Sequence, residues 1–404
     1  MFFLTSALLA MVAGPLAAQI AQPRVGVPEV GGVIDQLDDT LDRTTREIER
    51  EAQRLATDRL RRIDRLVRRN PDSIEFDANG APARKGELLV MDASQAGLES
   101  AGERGFTALS RESVEGLDLE LVRLSVPDGM KLADAQKQLE AILPDAVVSA
   151  DTLHFQSGSV SATNLVFSAA ASNSISAPVG MIDGAPGSTV KVVEQRGFAK
   201  GAPYPSNHGS AVASLLAHAG AGTIRVADVY GTDKAGGNAL AIAKGLGWLV
   251  AQGSKVVTIS LVGPRNPVLG RAIASSQRKG VVIVAAVGND GPASPPSYPA
   301  SYDGVVAVTA VDGKRRALIE AGRALHLDYA APGADIYGRN AKGRRIRLRG
   351  TSFATPLVAA RAAQAIGQGS DWRKALDREA EDLGKKGHDD VFGRGLVCGR
   401  CDGR

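Results

Sequence analysis

The chain has 404 residues, 44% hydrophobic and 23% charged, enough for two or three globular domains with a sizeable core. A net charge of +4 with 4% aromatic residues, its lysines and arginines interspersed among acids, argues against a nucleic-acid partner. The two cysteines, Cys398 and Cys401, are too few for a metal site and lack the strand-to-helix setting of redox pairs, so a local disulfide is expected in the 398–404 tail.

Residues 1–21 carry no charge and are mostly apolar, with Ala17, Ala18 and Ala21 ahead of Gln22 and Pro23, the pattern of a signal peptide. An uncleaved anchor is the alternative. No later segment is long and apolar enough to span a bilayer, so a secreted or periplasmic protein is expected. A charged helix is predicted over 35–69, where Leu37, Leu41, Ile48, Ala52, Leu55, Ile63 and Leu66 recur on a helical period. Asp39 with Arg43 and Asp58 with Arg62 are spaced for ion pairs one turn apart. This reads as a solvated amphipathic arm, with a coiled coil or contact to a partner or a membrane surface as the alternative. Asn70 and Pro71 stop it, and 71–84 reads as linker.

Residues 86–156 alternate compactly. Strands are predicted at Glu87 to Met91, Phe106 to Leu109, Leu117 to Val126 and Ala146 to Ser149. Helices are predicted about Leu98 to Arg104 and through Leu132, Leu139 and Ile142. This is a β-α-β-β-α-β unit of ferredoxin-like type, with no catalytic constellation of its own. Residues 157–177, rich in Ser, Ala and Asn, read as an exposed joint of the kind where chains are cut.

From 178 to 397 apolar strands alternate with helices. Strands are predicted at Val179 to Ile182, Ile224 to Tyr230, Val256 to Leu261, Val281 to Val287 and Val305 to Val311, and helices at Ser210 to His218, Asn238 to Gln252 and Pro267 to Lys279. Near-continuous Val and Ile runs mean strands buried on both faces, hence a mainly parallel sheet in a three-layer α/β sandwich. Chemistry in such sheets gathers at the carboxyl ends of the strands.

Four polar residues fall there. Asp183 ends the first strand, His208 opens a small-residue helix, Asn289 follows another buried strand, and Ser352 sits where Gly350 delivers an extended segment into a helix, with Pro356 suited to that helix's first turn. Each alone has an ordinary structural explanation as a cap, a turn residue or a core histidine. Together they form a nucleophile with its base. His208 would take the proton of Ser352, Asp183 would hold the imidazole tautomer, and Asn289 with the Ser352 N–H would receive a developing oxyanion. His154, His218, His326 and His388 read as structural.

The order Asp, His, Asn, Ser and the stretch Gly350-Thr351-Ser352-Phe353-Ala354-Thr355-Pro356 resemble the subtilisin-like serine peptidases, whose G-T-S-x-A-x-P motif is matched in full. Tyr298-Pro299-Ala300 and Asp328-Tyr329-Ala330-Ala331-Pro332-Gly333 add to the likeness. Departures are Asp183-Gly184-Ala185 for D-T-G or D-S-G, Ser210 where Thr is common, and Val262 for the first Gly of S-L-G-G in Ser260-Leu261-Val262-Gly263. The resemblance implies a serine endopeptidase acting on protein or peptide substrates and made as a zymogen. Residues 86–156 would be its folding-assisting, cleft-occupying propeptide, with self-cleavage within 157–177. Extended peptide would pair beside Ser260, Leu261, Val262 and Gly263, with pockets lined partly by Ala286, Val287 and Gly288. No cofactor is implied and no metal ligand is assigned, although calcium is found in relatives. A catalytically silent binding module and an esterase are the rival classes; the latter would favour G-x-S-x-G, where this chain has Ala354.

Overall fold

Helix α1 (Gly31–Arg69) opens the part of the chain that the computed structural model describes, namely residues 31–162, 174–399 and 401. The expected signal segment and residues 163–173 lie outside it. Residues up to Ile48 cluster as one unit and Glu49–Arg404 as another. Within the second unit α1 is not a solvated arm. Ala52 and Ile63 are buried, and Leu66 and Val67 pack with Ile74, Leu153, Phe155 and Ala235. The expected Asp58–Arg62 pair does not form. Asp58 instead meets Arg54 at 3.0 Å, while Arg62 reaches Asp290 at 2.5 Å.

The segment 71–84, expected as linker, holds β1 (Ile74–Phe76) and the start of β2 (Pro82–Met91). Three-residue strands carry too little alternation to read locally; β1 exists because β2 pairs with it. Then follow α2 (Gln95–Glu103), β3 (Thr107–Ser113), β4 (Glu120–Ser125), α3 (Leu132–Ile142) and β5 (Val147–Thr152). Helix α2 starts three residues earlier than its apolar pattern because Ser94 caps it, accepting from the Gly97 N–H at 3.0 Å. Antiparallel pairing of β3 with β4, β4 with β2 and β2 with β5 completes the ferredoxin-like sheet. Helices α2 and α3 cover one of its faces. The other face presents Leu89, Met91, Leu119 and Leu121 to the core of the larger domain, beside Leu240 and Ile273.

Two short strands link the domains, β6 (Phe155–Gln156) and β7 (Ser159–Ala162). Beyond them come β8 (Val179–Asp183), β9 (Glu194–Gly197), α4 (Asn207–His218), β10 (Ile224–Asp228), α5 (Ala239–Ala251), β11 (Val256–Ile259), β12 (Leu261–Val262), α6 (Pro267–Arg278), β13 (Val282–Ala286), β14 (Val306–Val311), β15 (Tyr329–Pro332), β16 (Ala334–Arg339), β17 (Arg345–Arg349), α7 (Thr351–Gly367) and α8 (Trp372–Glu379). Seven strands form one parallel sheet in the order β15-β14-β13-β11-β8-β10-β9. Its central strands β8, β11 and β13 are buried throughout, as unbroken Val and Ile runs require. Helices α4 and α7 pack on one face and α5 and α6 on the other. This is the three-layer α/β sandwich. Cys398 and Cys401 are disulfide-bonded.

Candidate active site

Ser352 is the second residue of α7, so it lies within the helix and not ahead of it. Pro356 is the sixth, beyond the first turn where a proline costs nothing. Lacking an N–H, Pro356 leaves the Ser352 carbonyl without its helical donor. The Ser260 hydroxyl fills the gap, donating to that carbonyl at 2.9 Å. Gly350, at φ +141°, brings the chain in where a Cβ would stand 2.8 Å from Asn289 Nδ2 and 2.7 Å from Gly158 Cα. Only glycine fits this approach.

Asp183 closes β8, and its carboxylate faces His208 in the first turn of α4. His208 Nδ1 lies 2.8 and 3.1 Å from the two Asp183 oxygens, one of which also accepts the Gly184 N–H at 2.7 Å. The carboxylate is fully buried and the imidazole nearly so, so both are held in one orientation. The other ring nitrogen, Nε2, is buried without a hydrogen-bond partner. The Ser352 hydroxyl is not on it; Oγ donates to the Ser260 carbonyl at 3.0 Å and lies 2.7 Å from the hydroxyl of Ser157. Asn289 receives the Thr351 N–H on its Oδ1 at 3.0 Å. That bond fixes which way the amide points, and its Nδ2 is buried and unpartnered. Asp183, His208, Asn289 and Ser352 thus meet at one rim of the parallel sheet, beside first-turn N–H groups of α7 that have no helical acceptor.

The remaining candidates line a cleft. Leu261 and Val262 pair antiparallel with Gln156 and Phe155, and Gly263 bridges to Tyr298 on its other side. Val262 replaces the smallest side chain without breaking the pairing. Its Cγ1 comes within 3.2 Å of where a Cβ on Gly288 would stand, so it narrows the gap to the turn after β13. Ala286 and Val287 are buried beneath that turn.

The chain's own segment lies in the cleft. Residues up to 156 are expected there, but the stretch from 157, expected as an exposed joint, also crosses it, with Ser157 buried and Ser159–Ala162 paired as β7. The His154 N–H donates to Gly237 O at 2.8 Å and its carbonyl accepts from the Tyr230 hydroxyl at 2.9 Å. The His154 ring lies against Gly263, and burial pulls its pKa down to about 4, so it sits there neutral. Gln156 Nε2 donates to Asp183 at 2.7 Å. Ser159 pairs with Arg349 as β7 runs antiparallel to β17. The Ser157 carbonyl and Asn289 Nδ2 both face Gly350. Two-residue strands give no periodicity, so nothing local announces them; the adjacency of 157 to the end of the small domain is the one available signal. Over the same place, α1 presents Arg62, Ile63 and Leu66 to a cavity of about 610 Å³ that reaches Phe155, Ser157 and Asn289. Asp290 is clasped by Arg62 and by Arg59 at 3.3 Å.

His326 and His388 place a ring nitrogen on backbone carbonyls, of Val305 and Leu327. His218 ends α4, away from His208 at its start. Among the described residues no group of three or more His, Cys, Asp or Glu side chains could hold a metal ion, and no helix is long and apolar enough to cross a membrane.

A hydroxyl on a helix N-terminus, a buried carboxylate–imidazole pair and a strand-pairing cleft, set on a three-layer parallel sheet, define a subtilisin-like serine peptidase. Residues 184–395, just over half the chain, match the subtilase family model, and the chain belongs to the subtilase family. It is 31% identical to subtilisin DY of Bacillus licheniformis over 243 residues, covering 54% of this chain and 88% of that one. To thermitase of Thermoactinomyces vulgaris it is 33% identical over 186 residues, 45% of this chain and 65% of the other. Among solved structures, fervidolysin from Fervidobacterium pennivorans, a keratinolytic enzyme related to subtilisin, superposes with a TM-score of 0.65 at 17% identity. That superposition covers 82% of this chain and 62% of fervidolysin, and speaks for the fold. The chain is a serine-type endopeptidase of this family.

Proposed function

We propose that the chain is the zymogen of an exported endopeptidase whose first substrate is its own Ser157–Gly158 peptide bond. Ser352 is the nucleophile, His208 the general base and then acid, Asp183 the orienting carboxylate, and Asn289 Nδ2 with the Ser352 N–H the oxyanion donors. One observation carries this reading. The chain passes over Ser352 as an extended strand paired on both sides of the site, Phe155–Gln156 with β12 and Ser159–Ala162 with β17, so the bond at 157–158 lies where a substrate's would.

The chemistry follows from the unpartnered atoms. The Ser352 hydroxyl turns from Ser260 O to His208 Nε2, gives up its proton there, and Oγ bonds to the Ser157 carbonyl carbon. The carbonyl oxygen takes the negative charge beside Asn289 Nδ2, a donor fixed in place before charge develops. The carbon–nitrogen bond breaks, His208 returns the proton to the Gly158 nitrogen, and water hydrolyses the Ser157 ester by the same route reversed. Asp183, accepting from Nδ1, stabilises the imidazolium meanwhile. The small domain then remains seated through its apolar face as an inhibitor until released.

Purified wild-type chain should yield a fragment beginning at Gly158, and Ser352→Ala should stay whole. If Ser352→Ala processes itself in dilute solution, the assignment of the nucleophile fails; if wild type cuts neither itself nor any peptide, the peptidase reading fails.

A further inference from the structure

We infer that the site selects peptides with glycine immediately after the cut bond, and that Phe353 imposes this selection; the inference rests on Ser352 and Ser157–Gly158 being the reacting pair. Phe353 follows the nucleophile in the first turn of α7, and its ring points into the larger domain. It is fully buried, belongs to the main apolar core, and its centroid lies 5.3 Å from that of His208 at an interplanar angle of 43°. The segment leaving the site must cross this ring, and Gly158 crosses it with no side chain in the way. A Cβ at 158 would stand 2.7 Å from Cε2, 3.1 Å from Cζ and 3.4 Å from Cδ2 of Phe353, and φ of +155° is one that other residues rarely adopt.

Neither partner can yield cheaply. The ring has core on its far side, so swinging it clear would overpack its neighbours or disturb the His208 imidazole. The peptide backbone is pinned one residue on, where Ser159 pairs with Arg349, and upstream, where Gln156 pairs with Leu261. Lifting the chain off the ring would draw the Ser157 carbonyl away from the Gly350 turn, which it and Asn289 Nδ2 both face, and turnover needs the carbonyl to reach that donor. The penalty therefore falls on kcat as well as on KM. The substrate class this defines is an extended peptide carrying a small residue–glycine bond.

The test uses processed wild-type enzyme and peptides carrying the sequence of residues 153–162, with glycine, alanine or valine at the position of Gly158. For alanine, kcat/KM should fall about tenfold, and further for valine, the scale of a modest steric overlap in a packed site. In Phe353→Ala the glycine-to-alanine ratio should collapse toward one whatever happens to the absolute rate. Phe353→Leu, which keeps more of the core volume, should lower it part of the way, and thermal unfolding checks that each variant folds. Wild type that cuts the alanine peptide as fast as the glycine peptide overturns the inference, as does a ratio unchanged in both variants. Failure to cut any of the peptides, glycine included, counts instead against the function proposed for the site.

Discussion

Asp151 allows the seat of the small domain to be probed through pH. Its carboxyl is 1% exposed, near the end of β5. It accepts the Leu240 N–H in the first turn of α5 at 2.9 Å and lies 3.8 Å from Arg84. Glu87 and Arg123 complete its charged surroundings, with Asp233 held by Arg84 and Glu112 by Lys244. Burial outweighs the Leu240 bond, and Glu87 adds to it, so the pKa rises from 3.8 to about 7. An unfolded or undocked Asp151 titrates at its ordinary value. The folded chain therefore holds a proton that the unfolded chain has lost. Stability is full below pH 4, declines as pH rises, and this contribution is gone above about pH 7. The gap between 3.8 and about 7 is worth on the order of 4 kcal/mol, of which roughly 3 is lost between pH 5 and 8. The perturbation is Asp151→Asn in a Ser352→Ala background, which keeps the chain whole. The amide still accepts from Leu240 but does not titrate. Thermal unfolding by circular dichroism across pH 5 to 8 should show the chain with Asp151 losing several degrees that the D151N chain keeps. The stability of the variant relative to the chain with Asp151 should therefore rise by roughly 3 kcal/mol from pH 5 to pH 8. Asp77, also raised by burial, contributes the same slope to both chains, so the difference between them is the readout. Parallel curves for the two chains would refute the reasoning.

Two further outcomes are expected. Asn289→Ala should lower kcat on peptide substrates by about a hundred- to a thousandfold, the loss known for one oxyanion donor in subtilisin, with little change in KM; a loss under about tenfold removes Asn289 from that role. Arg59→Ala with Arg62→Ala leaves Asp290 without the two guanidiniums that clasp it. Partly exposed pairs contribute up to about 1 kcal/mol each, so activity in freshly processed enzyme should appear several times faster as the helix lets go of the cleft. An unchanged time course would mean that α1 does not hold the cut segment in place.

The elements that carry long local patterns were legible in the chain. Val256–Ile259 and Val282–Ala286 could only be strands buried on both faces, and they stand in the middle of the sheet. The predicted helix from Pro267 begins at that residue, because Asn266 accepts from the Val268 and Leu269 N–H groups and Pro267 needs no donor. Asp183, His208, Asn289 and Ser352 could be picked out because a strand end or a helix start is itself a local feature, and the sheet's topology then gathers such ends on one rim.

What the sequence by itself determined was therefore the order of the elements, the parallel sheet and the rim on which four polar residues gather. Only the tertiary structure decided what crosses that rim. Phe155 finds Val262, Ser159 finds Arg349 and Arg62 abandons Asp58 for Asp290, each across a span of chain that no local period encodes. The same holds for Pro356, tolerated because Ser260 satisfies the carbonyl it leaves bare, and for Gly158, set against Phe353. Caps and periodicities act within a few turns. A contact between distant residues depends on two finished surfaces meeting, and so becomes readable only once the domains have closed on each other.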